Sequence, residues 1–260
     1  MDKKLLLFDL DGTLLRSDNT ISGRTLSAID KCRKRGYLIG ISTSRCEFNI
    51  KRYREMLAPD IVISSDGALI REKDRTVFRS LFSADETRLM IDISRKLLGD
   101  DVEMSCDTLS RHFWRYKENP ETAIPLWEGS TYCDFDDFHH ETLKFCVAIS
   151  DPCVLVSLLN SFPESDCVRF SDTPMRRFTK RNVGKRSSLN ILSSELNISP
   201  ESITAFGNDY ADIEMLKAAG TGIAVSNAVD EVKRAADLII PSNDDDGIAS
   251  YLTDVLNAAI

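Results

Sequence analysis

Leu5-Leu6-Leu7-Phe8 is an unbroken apolar run closed by Asp9, the pattern of a short strand buried on both faces. From Ser22, an N-cap residue, Leu26, Ile29 and Cys32 recur at helical spacing until Gly36, which predicts a helix followed by a strand over residues 37–41. Phe48, Tyr53, Met56 and Leu57 predict a second helix and Ile61-Val62-Ile63 a third strand, so the chain begins as a βαβαβ unit with right-handed crossovers. Asp66-Gly67 is a tight-turn signal before Ala68-Leu69-Ile70, and Thr76-Val77-Phe78 supplies a further extended run, a hairpin at the edge of the sheet. The alternation resumes with a helix after Lys185, the strand Ile203-Thr204-Ala205-Phe206 and a helix through Ile213, Met215 and Leu216. Two more strands follow, Ile223-Ala224-Val225 and Leu238-Ile239-Ile240.

Residues 80–183 have another texture, with a helix over 85–98, strands such as 143–149 and a helix after Pro152. The expected fold is α/β: a Rossmann-like parallel-sheet core of residues 1–79 and 184–260, interrupted by an inserted α+β domain over 80–183. Its 260 residues, 42% apolar and 28% charged, suit one or two folded domains and exclude a disordered chain. A net charge of -8 argues against nucleic acid and anionic membranes as partners, although a local basic pocket for one small anion stays open. The seven cysteines are scattered and never spaced CxxC, which points to reduced thiols rather than a disulfide framework or zinc ribbon. The run after Lys3 and Lys4 is too short for a signal peptide or a spanning helix, so a cytoplasmic protein is expected, as a monomer or weak homo-oligomer.

Asp9-Leu10-Asp11-Gly12-Thr13 follows the first strand directly, where open α/β sheets place their ligand crevice. Two neighbouring carboxylates there serve as nucleophile and acid/base beside a hard cation, or merely cap the backbone of a turn. The chain resembles the haloacid dehalogenase-like (HAD) phosphatases, particularly the Cof-type members, whose DxDGT motif matches Asp9, Asp11, Gly12 and Thr13. The resemblance implies that Asp9 attacks phosphorus, that Asp11 protonates the leaving group and then activates water, and that Gly12 and Thr13 contact substrate. Ile41-Ser42-Thr43-Ser44-Arg45 stands where the family commonly has a strand-ending TGR triplet. Thr43 is thereby implied to hold the transferring phosphoryl group, with Ser44, in place of the usual glycine, and Arg45 as substrate contacts. On its own, a Thr at a strand end is more often a helix N-cap.

Val183-Gly184-Lys185 fits the family's helix-opening lysine, although Asn182 and Arg186 replace common glycines, and implies that Lys185 neutralises the nucleophile and phosphate charges. Phe206-Gly207-Asn208-Asp209-Tyr210-Ala211-Asp212 follows the frame FGDxxND, with Asn208 in place of the metal aspartate and Ala211 in place of an asparagine. The implied cofactor is Mg2+ and the candidate ligands are Asp9, Asp11, Asn208, Asp209 and Asp212. An amide oxygen ligates Mg2+ without adding charge, so either Asn208 binds or Asp209 supplies the carboxylate, with Asp212 orienting the shell. The likeness continues through Ala218-Ala219-Gly220, residues 224–228, Lys233, Asn243 and Asp246-Gly247. It implies that residues 80–183 form a large cap over the site that selects a small phosphorylated metabolite, most commonly a sugar phosphate.

His112, His139 and His140 form no ligand spacing with carboxylates and receive no role. Arg111, Arg115 and Lys117 alternate with Phe113, Trp114 and Tyr116, which describes an ordinary half-buried strand better than an anion-reading one. Arg176, Arg177, Lys180 and Arg181 precede Lys185 and are candidates to raise the potential of the cleft, with Arg177 carried forward as a substrate contact. The expected activity is a Mg2+-dependent phosphatase working through an aspartyl-phosphate. A phosphomutase and a non-catalytic phosphometabolite sensor are its rivals.

Overall fold

A computed structural model describes residues 3–116 and 130–258, so Lys117 lies outside the described residues. The apolar runs become β1 (Leu5–Phe8), β2 (Leu38–Ser42) and β3 (Ile61–Ser64), parallel strands joined by α1 (Gly23–Lys34) and α2 (Lys51–Leu57). Ser22 caps α1 by accepting from Thr25 N, which satisfies one of the orphaned N–H groups of its first turn. β4 (Leu69–Glu72) and β5 (Arg75–Arg79) form an antiparallel hairpin that ends the sheet. The chain then builds α3 (Ala84–Leu98), β6 (Met104–Asp107), β7 (His112–Arg115), β8 (Thr131–Tyr132), β9 (Lys144–Ala148), α4 (Pro152–Ser161), β10 (Ser165–Arg169) and β11 (Met175–Lys180). It returns through α5 (Lys185–Leu196), β12 (Ile203–Gly207), α6 (Ile213–Ala218), β13 (Thr221–Val225), α7 (Asp230–Ala235), β14 (Leu238–Ile240) and α8 (Gly247–Ala258).

Among the described residues these strands make an eight-stranded sheet, β14-β13-β12-β1-β2-β3-β4-β5, and a six-stranded sheet, β10-β11-β9-β6-β7-β8. Each has its own apolar core, one around β1 and β12 and one around Phe135, Phe145, Phe178 and Leu158. All four β1 side chains are at most 2% exposed, and each contributes about 1.5–3 kcal/mol by burial. A polar substitution at Leu7 would break this centre, since both faces of the strand are covered.

Strand order reverses at β1, which lies between β2 and β12, and such a switch point opens a crevice at the strands' carboxyl ends. Register decides what faces that crevice. Phe8 pairs with both Ile41 and Phe206, so the segments beginning at Asp9, Ser42 and Gly207 leave the sheet at one level.

One apolar pattern behaves differently from expectation. The predicted helix through Phe48 and Met56 splits into a 3-10 turn, Glu47–Ile50, and α2. Phe48 (43% exposed), in the 3-10 turn, and Met56 (51%), in α2, face outward, while Ile50, Tyr53 and Leu57 face the core.

Candidate active site

The chain leaves β1 in a tight turn, with Leu14 N donating to Asp9 O at 3.2 Å and Leu15 N to Leu10 O at 2.8 Å. Gly12 adopts φ +72°, and a Cβ at this position would lie 2.5 Å from Asn208 Nδ2, so conformation and space both call for glycine. The turn is tied to the far end of the chain: Asn227 Nδ2 donates to Gly12 O at 2.7 Å and Asn243 Nδ2 to Leu15 O at 2.8 Å.

Asp9 is buried at the floor of the crevice. Lys185, the first residue of α5, places Nζ 2.6 Å from Asp9 Oδ1 and 2.7 Å from Asp212 Oδ1. Burial pushes the Asp9 carboxyl up to about 8, with Lys185 opposing that rise. Burial pulls the other way on Lys185, but Asp212 and Asp9 outweigh it and hold its pKa above the ordinary value. The lysine is therefore cationic and divides one charge between two carboxylates, which leaves Asp9 short of positive charge.

Asp212 is fully enclosed, and its Oδ2 accepts from Asn208 N and Asp209 N, each at 3.0 Å. Gly207 permits this fold-back, because a Cβ there would sit 2.4 Å from Asp212 Cβ. Asn208 turns its side chain to the Asp9 turn, its Oδ1 accepting from Thr13 Oγ1 at 2.9 Å. Asp209 instead caps the following turn, its Oδ1 accepting from Tyr210 N at 2.8 Å. The Asp9 carboxylate and the amide oxygen of Asn208 are oxygen donors suited to a hard cation, whereas both carboxylate oxygens of Asp11 are taken by Arg45. Among the described residues, no three His, Cys, Asp or Glu side chains gather as a metal cluster.

Thr43 is fully buried at the end of β2, its Oγ1 accepting from Arg45 N at 3.1 Å. Arg45 does not point away from the acidic turn. Its guanidinium grips Asp11 in two places, Nε to Oδ2 at 2.8 Å and Nη2 to Oδ1 at 2.5 Å, and lies over Tyr53. Its immediate partner is thus the candidate acid/base.

The second sheet reaches the same crevice. Arg177 Nη1 donates to Ser44 Oγ at 2.7 Å and lies 3.1 Å from Asp66 Oδ1. Its three basic neighbours go elsewhere: Arg176 to Met175 O, Lys180 to Glu86 and Arg181 to Pro163 O and Glu164. Lys144 donates to Ser44 O and pairs with Asp107 at 3.0 Å, and Asp107 in turn accepts from Ser65 Oγ at 2.9 Å. His112, given no role from sequence, is buried with Nδ1 2.7 Å from Asp107 Oδ1. His139 lies 3.9 Å from Asp85, and His140 stacks on Phe113. Sequence reasoning missed Asp66, Asp107 and Lys144. The available signal was a lysine in the apolar run Leu143-Lys144-Phe145, where an unpaired charge is too costly to bury.

A buried Asp–Lys–Asp centre at the switch point of a parallel sheet defines an α/β enzyme with its chemistry on strand ends. Residues 6–252 match the haloacid dehalogenase-like hydrolase family, and the chain belongs to it. It is 30% identical over 258 residues to the 5-amino-6-(5-phospho-D-ribitylamino)uracil phosphatase YcsE of Bacillus subtilis (strain 168), covering 97% of this chain and 95% of that protein. It is 28% identical over 272 residues to the stress response protein YhaX of the same organism, covering 96% and 92%. A solved sugar phosphatase of HAD subclass IIB shares the fold, with a TM-score of 0.83 at 22% identity over 97% of this chain and 99% of that one. Among the described residues, no helix is long and apolar enough to cross a membrane.

Proposed function

We propose that this hydrolase is a Mg2+-dependent phosphatase that cleaves a small phosphorylated metabolite, with sugar phosphates the favoured class, through an aspartyl-phosphate on Asp9. The observation that carries the reading is the buried Asp9 carboxylate fixed by Lys185 two residues before a second, more open carboxylate, Asp11. An Asp9 oxygen forms a bond to phosphorus as the ester P–O bond breaks, and Asp11 gives its proton to the departing oxygen. Asp11 then takes a proton from water, whose oxygen attacks phosphorus and releases Asp9. Thr43 and Lys185 hold the phosphoryl oxygens in place, where positioning and charge neutralisation do most of the work. Asp9 and Asn208 would hold Mg2+, which supplies further neutralising charge and favours the ionised nucleophile, and this leaves the Asp11 carboxyl to proton transfer.

Residues 80–183 act as the cap in this scheme, with Arg177 closing over Ser44 beside the substrate. Capping excludes bulk water from the phosphoryl group and selects the leaving group. The name of the relative YcsE, a phosphatase of a phosphorylated ribityl compound, supports a small polyhydroxylated substrate. Seven free thiols accord with a cytoplasmic setting.

Phosphate release from sugar phosphates, nucleotides and an aryl phosphate, with and without Mg2+, tests the reading. Mg2+-dependent release that disappears in Asp9→Asn is expected. Isomeric sugar phosphate as product would replace it with a mutase, and tight Mg2+-independent binding without turnover would replace it with a sensor.

A further inference from the structure

Loop 43–45 is built jointly by both sheets. Asp66 N donates to Thr43 O at 3.1 Å and Ser65 N to Arg45 O at 2.8 Å, so the loop and the turn after β3 form one backbone unit. Ser44 Oγ donates to Asp66 Oδ1 at 2.6 Å. From the other sheet, Lys144 Nζ takes the Ser44 carbonyl and Arg177 takes the hydroxyl. Lys144 cannot swing freely, because Asp107 holds its Nζ at 3.0 Å and is itself held by His112 Nδ1 and Ser65 Oγ.

Lys144, Arg177, Asp66 and Asp107 are each at most 3% exposed. A buried ion network of this kind adds little net stability, since desolvation offsets attraction, but it fixes geometry tightly. Burial disfavours charge on Asp107, yet Lys144 and His112 overcome it and bring the carboxyl down to about 2, so this carboxylate stays ionised.

From this geometry we propose that Lys144, clamped by Asp107, is a positioning residue: it seats the 80–183 cap on loop 43–45 and thereby sets the phosphate-binding shape of Thr43. The inference rests on the phosphatase reading, in which Thr43 holds the phosphoryl group. Lys144 need not touch substrate. Its effect acts on the phosphoryl site and is independent of the leaving group.

An aryl phosphate with a simple leaving group separates these roles. Turnover of this compound by the wild-type enzyme tests the underlying phosphatase reading by itself. Given that turnover, Lys144→Met is expected to lower kcat about tenfold to a hundredfold for the aryl phosphate and for the best sugar phosphate alike, the scale of a misplaced reacting group. Tungstate affinity falls with it, and Lys144→Arg recovers part of both.

Since Lys144→Met strands Asp107, the charge-balanced double variant Lys144→Met/Asp107→Asn is measured beside it and is expected to show the same kinetic loss. Hydrogen exchange of the unaltered enzyme supplies a readout that needs no variant: tungstate should slow amide exchange in residues 43–45 and 144–148 together. Unchanged aryl phosphate kcat in a folded variant, loss confined to the sugar phosphate, or protection confined to 43–45 would each overturn the proposal.

Discussion

Asp9→Asn probes the nucleophile and its electrostatics together. An acid whose pKa rises on folding, here from 3.8 to about 8, favours the folded state fully below the unfolded value, and that stability is lost as pH rises through the folded value. At about 1.4 kcal/mol per pH unit, the metal-free protein at pH 7 gives up on the order of 4 kcal/mol to keep this carboxyl buried. Asparagine has nearly the same shape, carries no charge to desolvate, and its Oδ1 still accepts from Lys185 Nζ.

The variant is therefore expected to be more stable than the wild type in urea unfolding at pH 7 with chelator present, by about 2–4 kcal/mol, with the difference closing toward pH 4. Turnover should fall to background in the same preparation. A variant no more stable at pH 7, a difference that ignores pH, or retained turnover would refute the reasoning.

Asn208→Asp restores a carboxylate beside the Asp9 turn and should lower the Mg2+ concentration for half-maximal phosphate release by on the order of tenfold, as added ligand charge does. An unchanged Mg2+ titration would remove Asn208 from the ligand set. Asp107→Asn strands Lys144 and should cost about 3–5 kcal/mol in urea unfolding at pH 7. Because the Asp107 pKa is depressed on folding, the wild type holds this advantage above pH 3.8 and loses part of it toward pH 2, so the difference should narrow by about 2 kcal/mol there. Gly12→Ala forces an L side chain to φ +72°, costing about 1–2 kcal/mol, and presses a Cβ on Asn208. Its melting temperature and kcat should both fall, and a fully active variant would show that the Gly12–Asn208 contact is dispensable.

The chain's own order of residues carried much of this fold. Continuous apolar runs such as Leu5-Leu6-Leu7-Phe8 suit only strands covered on both faces, and the polar residues that end them mark the strand ends. Asp9, Thr43 and Asn208 could thus be placed at strand ends, and Lys185 at a helix start, without coordinates. The helix expected through Phe48 begins only at Lys51, because apolar spacing alone does not distinguish a 3-10 turn from the first turn of an α-helix.

Only the tertiary structure decided which charges meet. Arg45 looked like a substrate contact and lies on Asp11, while His112 looked idle and braces Asp107. Lys144, Asp107 and Asp66 sit on separate strands and turns, tens of residues apart, and no spacing rule links them. A local pattern reports which face of its own element a residue occupies, since that is fixed by backbone period. The partner of a buried charge is fixed by sheet register and by how two separately cored sheets abut, and these arise only when the whole chain is packed.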